Sequence, residues 1–397
     1  MNSDFLSPLL ESKSMIICCG SGGVGKTTTA AVLALQGAMI GRKTLVLTID
    51  PAKRLANSLG LDVLGNQIRK VETKFLIQAG LEVKGELHAM MLDCKRTFDE
   101  MVKRYAPSSE ACQKILNNHY YQHLSGAMTG SHEYMAMEKL YEVHQENQYD
   151  LIVLDTPPTH NALDFLDAPN RVTNFLDDSV LKWFLKPYFL AGKVSLKTVG
   201  KGGKIFMKIL ERITGIEVLR DISEFFLAFS GMYSGFKDRA EKVKELLKQD
   251  ETVFVLVTSP QDMTIEECIF FHQKLKESQM PFGGILVNKM HDDLGGISKL
   301  SEKEFFQKMH QNFPDISTEL LDKVSQNIKD YQILFERDQL ALNHLKETTQ
   351  IEEEKIKTIR YFDEDIFALE DLKRMMEEIF LKNEIQHPSL QQTAFHF

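Results

Sequence analysis

Short apolar runs alternate along the chain with longer stretches of helical composition, the pattern of βα units that assemble a mostly parallel sheet. The runs predict strands at Met15–Cys19, Thr44–Ile49, His88–Leu92, Leu151–Leu154, Val253–Thr258, Gly284–Val287 and Ile356–Tyr361. Ile16-Ile17-Cys18-Cys19 and Leu151-Ile152-Val153-Leu154 read as buried strands, and Thr29–Leu35 has the composition of a helix. Thr264-Ile265-Glu266-Glu267 predicts a capping box that starts another helix. Two stretches, about 97–149 and 163–250, break the strand pattern and look helical. In the second, Ile222, Phe225, Phe226, Phe229, Met232, Tyr233 and Phe236 recur at helical spacing and form an aromatic stripe over 222–236. Upstream, Trp183, Phe184, Tyr188 and Phe189 mingle with Lys182, Lys186 and Lys193. Two readings stay open: the stripe docks on the protein's own core, or it is a partner- or membrane-facing surface flanked by basic residues. The expected organisation is one α/β domain over residues 1–397, a doubly wound sheet with a helical subdomain (97–149 and 163–250) inserted in it.

The glycine-rich segment Gly20-Ser21-Gly22-Gly23-Val24-Gly25-Lys26-Thr27-Thr28 sits between the first strand and the first long helix. There a G-x-x-x-x-G-K-[ST] pattern makes a phosphate cradle, because its glycines let successive backbone N–H groups converge on a polyphosphate at a helix N-terminus. Gly22, Gly23, Val24, Gly25, Lys26, Thr27 and Thr28 are the expected binding residues. Lys26 would reach the β- and γ-phosphates, and the Thr27 hydroxyl would ligate Mg²⁺. The spacing implies a nucleoside triphosphate ligand.

Further candidates end the neighbouring strands, where doubly wound sheets bind ligands. Asp155 closes an apolar strand and reads as the carboxylate holding Mg²⁺ opposite Thr27; the plainer reading is a helix cap. Asp50 precedes Pro51-Ala52-Lys53-Arg54 and can orient or deprotonate an attacking water, with Lys53 and Arg54 as charge donors. Asn288 offers a donor and an acceptor to the edge of adenine. Gly200-Lys201-Gly202-Gly203-Lys204 imitates the cradle, but Ile205 follows where a hydroxyl is needed.

Composition narrows the class. A formal net charge of −9 argues against a nucleic-acid binder. Five cysteines, none in a C-x-x-C or metal-ligand spacing, fit a reducing compartment, and no zinc is expected. No apolar run is long enough to span a bilayer, and the N-terminus does not read as a cleavable signal, so a cytoplasmic protein is expected.

Gly20–Thr28, Asp50-Pro51-Ala52-Lys53-Arg54-Leu55 and Asp155-Thr156-Pro157-Pro158-Thr159 together resemble the ArsA family of ATPases, as do Phe229-Ser230-Gly231-Met232 and Tyr361-Phe362-Asp363-Glu364-Asp365. The family comprises arsenite-pump ATPases and chaperone ATPases that target tail-anchored membrane proteins, and the wording is nearest its bacterial branch. The resemblance implies a SIMIBI-class P-loop fold, ATP and Mg²⁺ as ligands, and, with one phosphate loop per chain, a homodimer. It implies that Lys26 and Asp50 serve catalysis, that Asp155 marks switch II, and that Asn288 contacts adenine. It also places residues 163–250 where targeting members hold a hydrophobic transmembrane segment. Departures are visible. Ser21 stands where the family usually has a lysine that reaches the partner's nucleotide, so hydrolysis is expected to slow unless Lys53 or Arg54 substitutes. His160-Asn161 replaces the Gly-His pair of switch II, and the metalloid-binding cysteines have no obvious counterpart. A low-turnover ATP switch and an arsenite-pump subunit remain alternatives.

Overall fold

The computed structural model describes residues 4–49, 54–61, 65–119, 121–122, 131–157, 167, 232–295 and 300–380. Eight strands form one sheet: β1 Met15–Cys19, β2 Lys43–Thr48, β3 Arg69–Lys70, β4 Glu86–Met91, β5 Leu151–Asp155, β6 Thr252–Thr258, β7 Phe282–Met290 and β8 Ile356–Arg360. Their order is β3-β4-β2-β5-β1-β6-β7-β8, with every pairing parallel except β3 against β4. Seven of the strands match the apolar runs to within a few residues. The eighth, β3, is two exposed residues held at the edge by β4, and no apolar pattern announces it.

The runs are continuously apolar because both sheet faces are covered. In β1, Ile16 and Cys18 enter one core while Met15, Ile17 and Cys19 enter the other. In β5, Leu151 and Val153 face the first and Ile152 and Leu154 the second. The first face carries α1 Leu6–Ser12, α2 Lys26–Met39, α3 Arg54–Ser58, α4 Thr73–Gln78 and, near the end of the chain, α12 Leu369–Phe380. The second carries α5 Cys94–Tyr105, α6 Ser109–Leu116, α7 Ser131–Gln145, α8 Tyr233–Lys248, α9 Asp262–Glu277 and α11 Thr318–Thr349. Between the last two lies α10 Glu302–Asn312, which packs on α11.

Helix α2 buries Ala30 through Leu35 without interruption, so it needs apolar cover beyond the sheet. That cover is α12, whose Leu369, Leu372, Met375, Met376 and Ile379 recur on one buried face against α2. At 32 residues, α11 is the longest described helix and packs beside α9.

One sequence expectation is corrected. Helix α9 starts at Asp262 with Gln261 as its N-cap, so Thr264 is inside the first turn and makes no capping box. The Thr264 hydroxyl instead donates to the Ser259 and Gln261 carbonyls, at 2.7 and 2.9 Å. The described parts of 97–149 are mainly helical, in α5, α6 and α7. Of the aromatic stripe, Met232 and Phe236 are buried, with the Phe236 ring 6.0 Å from Phe98 and 5.8 Å from Tyr105. Ile222, Phe225, Phe226 and Phe229, with the lysine-rich stretch upstream, lie outside the described residues.

Candidate functional site

Parallel register brings three strand ends to one level. Cys18 of β1 and Thr48 of β2 both pair with Asp155 of β5, at the edge where the glycine-rich loop leaves β1 for α2. The loop needs its glycines. Gly25 is left-handed (φ +99°), and a Cβ on Gly20 would lie 2.0 Å from the Val257 carbonyl oxygen.

Asp155 is wholly buried and accepts two hydroxyl hydrogen bonds on Oδ2, from Thr27 and Thr48, each at 2.7 Å. Thr156 next to it donates to the Cys18 carbonyl at 2.8 Å, tying the strand end to β1. The Lys26 ammonium is buried inside the loop and donates to the Ser21 carbonyl at 2.7 Å. Burial pushes the thiol of Cys19 up to about 12 and that of Cys18 well above its ordinary value, so both stay neutral beneath the loop.

From the other side, the end of β7 clasps the loop. Asn288 donates from its amide nitrogen to the Val24 carbonyl at 2.9 Å, and its amide oxygen accepts the Lys289 N–H at 2.9 Å. Lys289 donates from Nζ to the Gly23 carbonyl at 2.9 Å. This double grip requires a turn, and Lys289 takes it up with φ +65°, a left-handed conformation that costs a non-glycine residue about 1–2 kcal/mol. Asn288 was expected from sequence as a base-edge contact; the structure shows it first as a brace for the phosphate loop.

A cleft of about 780 Å³ opens over these groups. Gly22, Gly23, Gly25, Lys26, Thr27, Thr28 and Asn288 line it, with Arg54, Thr156 and Lys289. The Val24 side chain is buried in packing, so Val24 can meet a ligand only through its backbone. The remaining wall is Ser58 and the segment Arg360–Phe367 at the end of β8 and beyond it, of which Tyr361–Asp365 stood out in the sequence by its wording alone. Its signal was positional: aromatic and acidic residues following a strand end on the ligand edge of the sheet. Asp50 and Lys53 lie outside the described residues, as do His160 and Asn161. Arg54 is exposed on the cleft wall. Ser21 is buried, and its hydroxyl donates to the Glu267 carboxylate of α9 in the same chain.

Thr27 and Asp155 supply adjacent hard oxygen donors at the mouth of a phosphate loop, a set that suits Mg²⁺. Among the described residues no group of three His, Cys, Asp or Glu side chains is gathered as a metal centre.

The family model described as anion-transporting ATPase, ArsA_ATPase, matches residues 13–340. The chain belongs to the ArsA family of ATPases. It is 29% identical to ATPase GET3C of Arabidopsis thaliana over 280 residues, covering 68% of this chain and 65% of that protein. It therefore spans slightly under two thirds of that relative. It is 26% identical to the putative arsenical pump-driving ATPase 1 of Aquifex aeolicus (strain VF5) over 338 residues, 80% of this chain and 71% of that one. Against ATPase GET3 of Malassezia globosa it is 26% identical over 287 residues, 72% and 76% of the two chains. The doubly wound sheet of this ArsA ATPase, with the loop at its central strand, is the P-loop SIMIBI fold.

Proposed function

We propose that this chain binds Mg-ATP in the cleft, hydrolyses it as a homodimer, and uses the change to switch an apolar helical surface that holds a hydrophobic membrane-protein segment. The observation that carries the nucleotide reading is the convergence of Lys26, Thr27 and Asp155 on one strand edge, with Thr27 and Asp155 2.7 Å apart. The loop N–H groups and Lys26 would draw charge from the β- and γ-phosphates, Thr27 and Asp155 would hold Mg²⁺, and Asp50 would orient the attacking water. Bound Mg²⁺ supplies charge neutralisation on the phosphate oxygens. Asn288, braced on Val24, faces the cleft with hydrogen-bonding capacity for adenine. Homodimerisation and the client follow from the family resemblance, and from one phosphate loop per chain.

A second reading, an ATP-driven switch with little turnover, draws on Ser21. Where the family lysine would reach across a dimer, this side chain is buried and tied to Glu267 of its own chain. Single-turnover phosphate release separates the two. The hydrolytic reading expects release from wild type, loss of release with retained ATP binding in Asp50→Asn, and a fall of about 10²–10³-fold in turnover in Lys26→Ala. A wild-type protein that binds Mg-ATP and releases no phosphate supports the switch instead.

A further inference from the structure

Of the two hydroxyls that Asp155 accepts, one has no part in the phosphate loop. Thr48 is the last residue of β2 and lies level with Asp155 of β5 in the parallel register. Its hydroxyl donates to Asp155 Oδ2 at 2.7 Å, the same oxygen and the same distance as the Thr27 hydroxyl. Thr48 is 1% exposed and Asp155 is wholly buried, so the bond forms where water does not compete.

The donor is held by its own strand. Thr48 also pairs with Met91 of β4 on the other side, and its carbonyl accepts the Leu92 N–H at 2.8 Å. A β-branched side chain on a backbone fixed from both sides has little rotamer freedom. A carboxylate that helps to hold Mg²⁺ needs such a fixed partner, because the ion demands oxygens at short distances and near-octahedral angles. Thr27 cannot supply that reference alone: it belongs to the loop, and its hydroxyl is expected to meet the ion itself. Thr156, which ties the end of β5 to the Cys18 carbonyl, fixes the backbone beside Asp155 but not the carboxylate.

We propose that Thr48 is a positioning residue for the magnesium site: it fixes Asp155 Oδ2 against β2 and so keeps Thr27 aligned for the ion. The proposal rests on the reading of the cleft as a Mg-ATP site and deepens it. Thr48 stands two residues before Asp50. One hydrogen bond therefore joins the carboxylate behind the metal site to the strand that leads to the water-orienting one.

Magnesium titration of the full chain with a fluorescent ATP analogue, beside the same nucleotide in EDTA, tests it. In Thr48→Val, which keeps the shape and removes the hydroxyl, the Mg²⁺ concentration needed for half-maximal tight binding rises about tenfold or more. That is the usual loss when a partner behind a metal's own ligands is removed. Affinity without Mg²⁺ stays at the wild-type value, which separates positioning from general damage to the loop. Thr48→Ser keeps the hydroxyl and recovers the Mg²⁺ requirement. In an Asp155→Asn background, where the carboxylate is already gone, Thr48→Val changes the requirement no further. Thermal melts without nucleotide check that each variant is folded, and Thr48→Ala takes the place of Thr48→Val if valine packs badly. The proposal is overturned if the Mg²⁺ requirement of the hydroxyl-free variant equals that of wild type, or if its Mg-free affinity falls by the same factor. Failure of Thr48→Ser to recover, or additive effects with Asp155→Asn, overturns it as well. A wild-type chain whose nucleotide binding ignores Mg²⁺, or is absent, sinks the Mg-ATP reading itself, a separate and distinguishable failure.

Discussion

Gly25 sets how little the phosphate loop tolerates. Its φ of +99° suits glycine, and an added Cβ would lie 2.4 Å from the Asn288 amide nitrogen. Gly25→Ala should therefore cost about 1 kcal/mol or more in stability and weaken ATP binding, read by thermal melts and titration. Adding Asn288→Ala removes the clash but not the strained φ, so rescue should be partial. A second residue-scale case lies away from the site. Glu138 is buried and takes the Arg239 Nε at 2.8 and 3.0 Å, with the guanidinium 4.0 Å above the Tyr141 ring. Burial raises the Glu138 carboxyl above its ordinary value, while Arg239 pulls it down. Arg239→Ala leaves a buried charge and should destabilise by about 3–5 kcal/mol near neutral pH. In that variant the folded state holds the Glu138 proton more tightly than the unfolded state does. Its stability is therefore retained at low pH and lost as pH rises, and urea melts should show a larger deficit at pH 8 than at pH 5. The substitution of the missing lysine by Lys53 or Arg54 is also a residue-scale proposal. Arg54 does line the cleft, and turnover unchanged by both Lys53→Ala and Arg54→Ala would discard it.

At the scale of elements, α2 explains why a segment from the far end of the chain is needed. Its buried alanine-rich run leaves apolar surface that α12 covers. Leu372→Ala, at a wholly buried position of α12, should cost about 2–5 kcal/mol in denaturant melts, through lost transfer energy and the cavity left behind. The same packing occupies the apolar face of α12, so among the described residues this helix is not a free membrane anchor. The elements differed in how plainly they could be read. Seven strands were legible because two covered faces demand unbroken apolar runs, whereas β3 is defined by its partner alone. Helix starts were less legible. Ser301 and Glu304 do form a reciprocal capping box at α10, but the similar-looking Thr264 serves the Ser259 and Gln261 carbonyls within α9. Local pattern offers both, and the approach of the preceding chain chooses.

Assembly is decided at the scale of the whole molecule. One phosphate loop per chain and a buried, cis-bonded Ser21 predict that any charge reaching a partner's nucleotide comes from elsewhere on the cleft rim. If the homodimer is the active form, specific phosphate release should fall on dilution through the dimer dissociation range. Light scattering should show the larger species only with nucleotide. Activity independent of concentration across that range would show self-sufficient monomers. Of the aromatic stripe, Met232 and Phe236 belong to the core.

The sequence by itself determined the fold class and the place of the phosphate loop, and it offered Thr27 and Asp155 separately as candidates, because each depends on short-range chemistry: buried strands, a glycine turn, a carboxylate at a strand end. Tertiary structure alone decided that Thr27 meets Asp155, that Asn288 and Lys289 brace the loop, that Ser21 turns to Glu267, and that Arg360–Phe367 walls the cleft. Those relations join residues dozens to hundreds of positions apart. No local periodicity encodes such distances; only the crossing of strands and helices in the folded chain sets them.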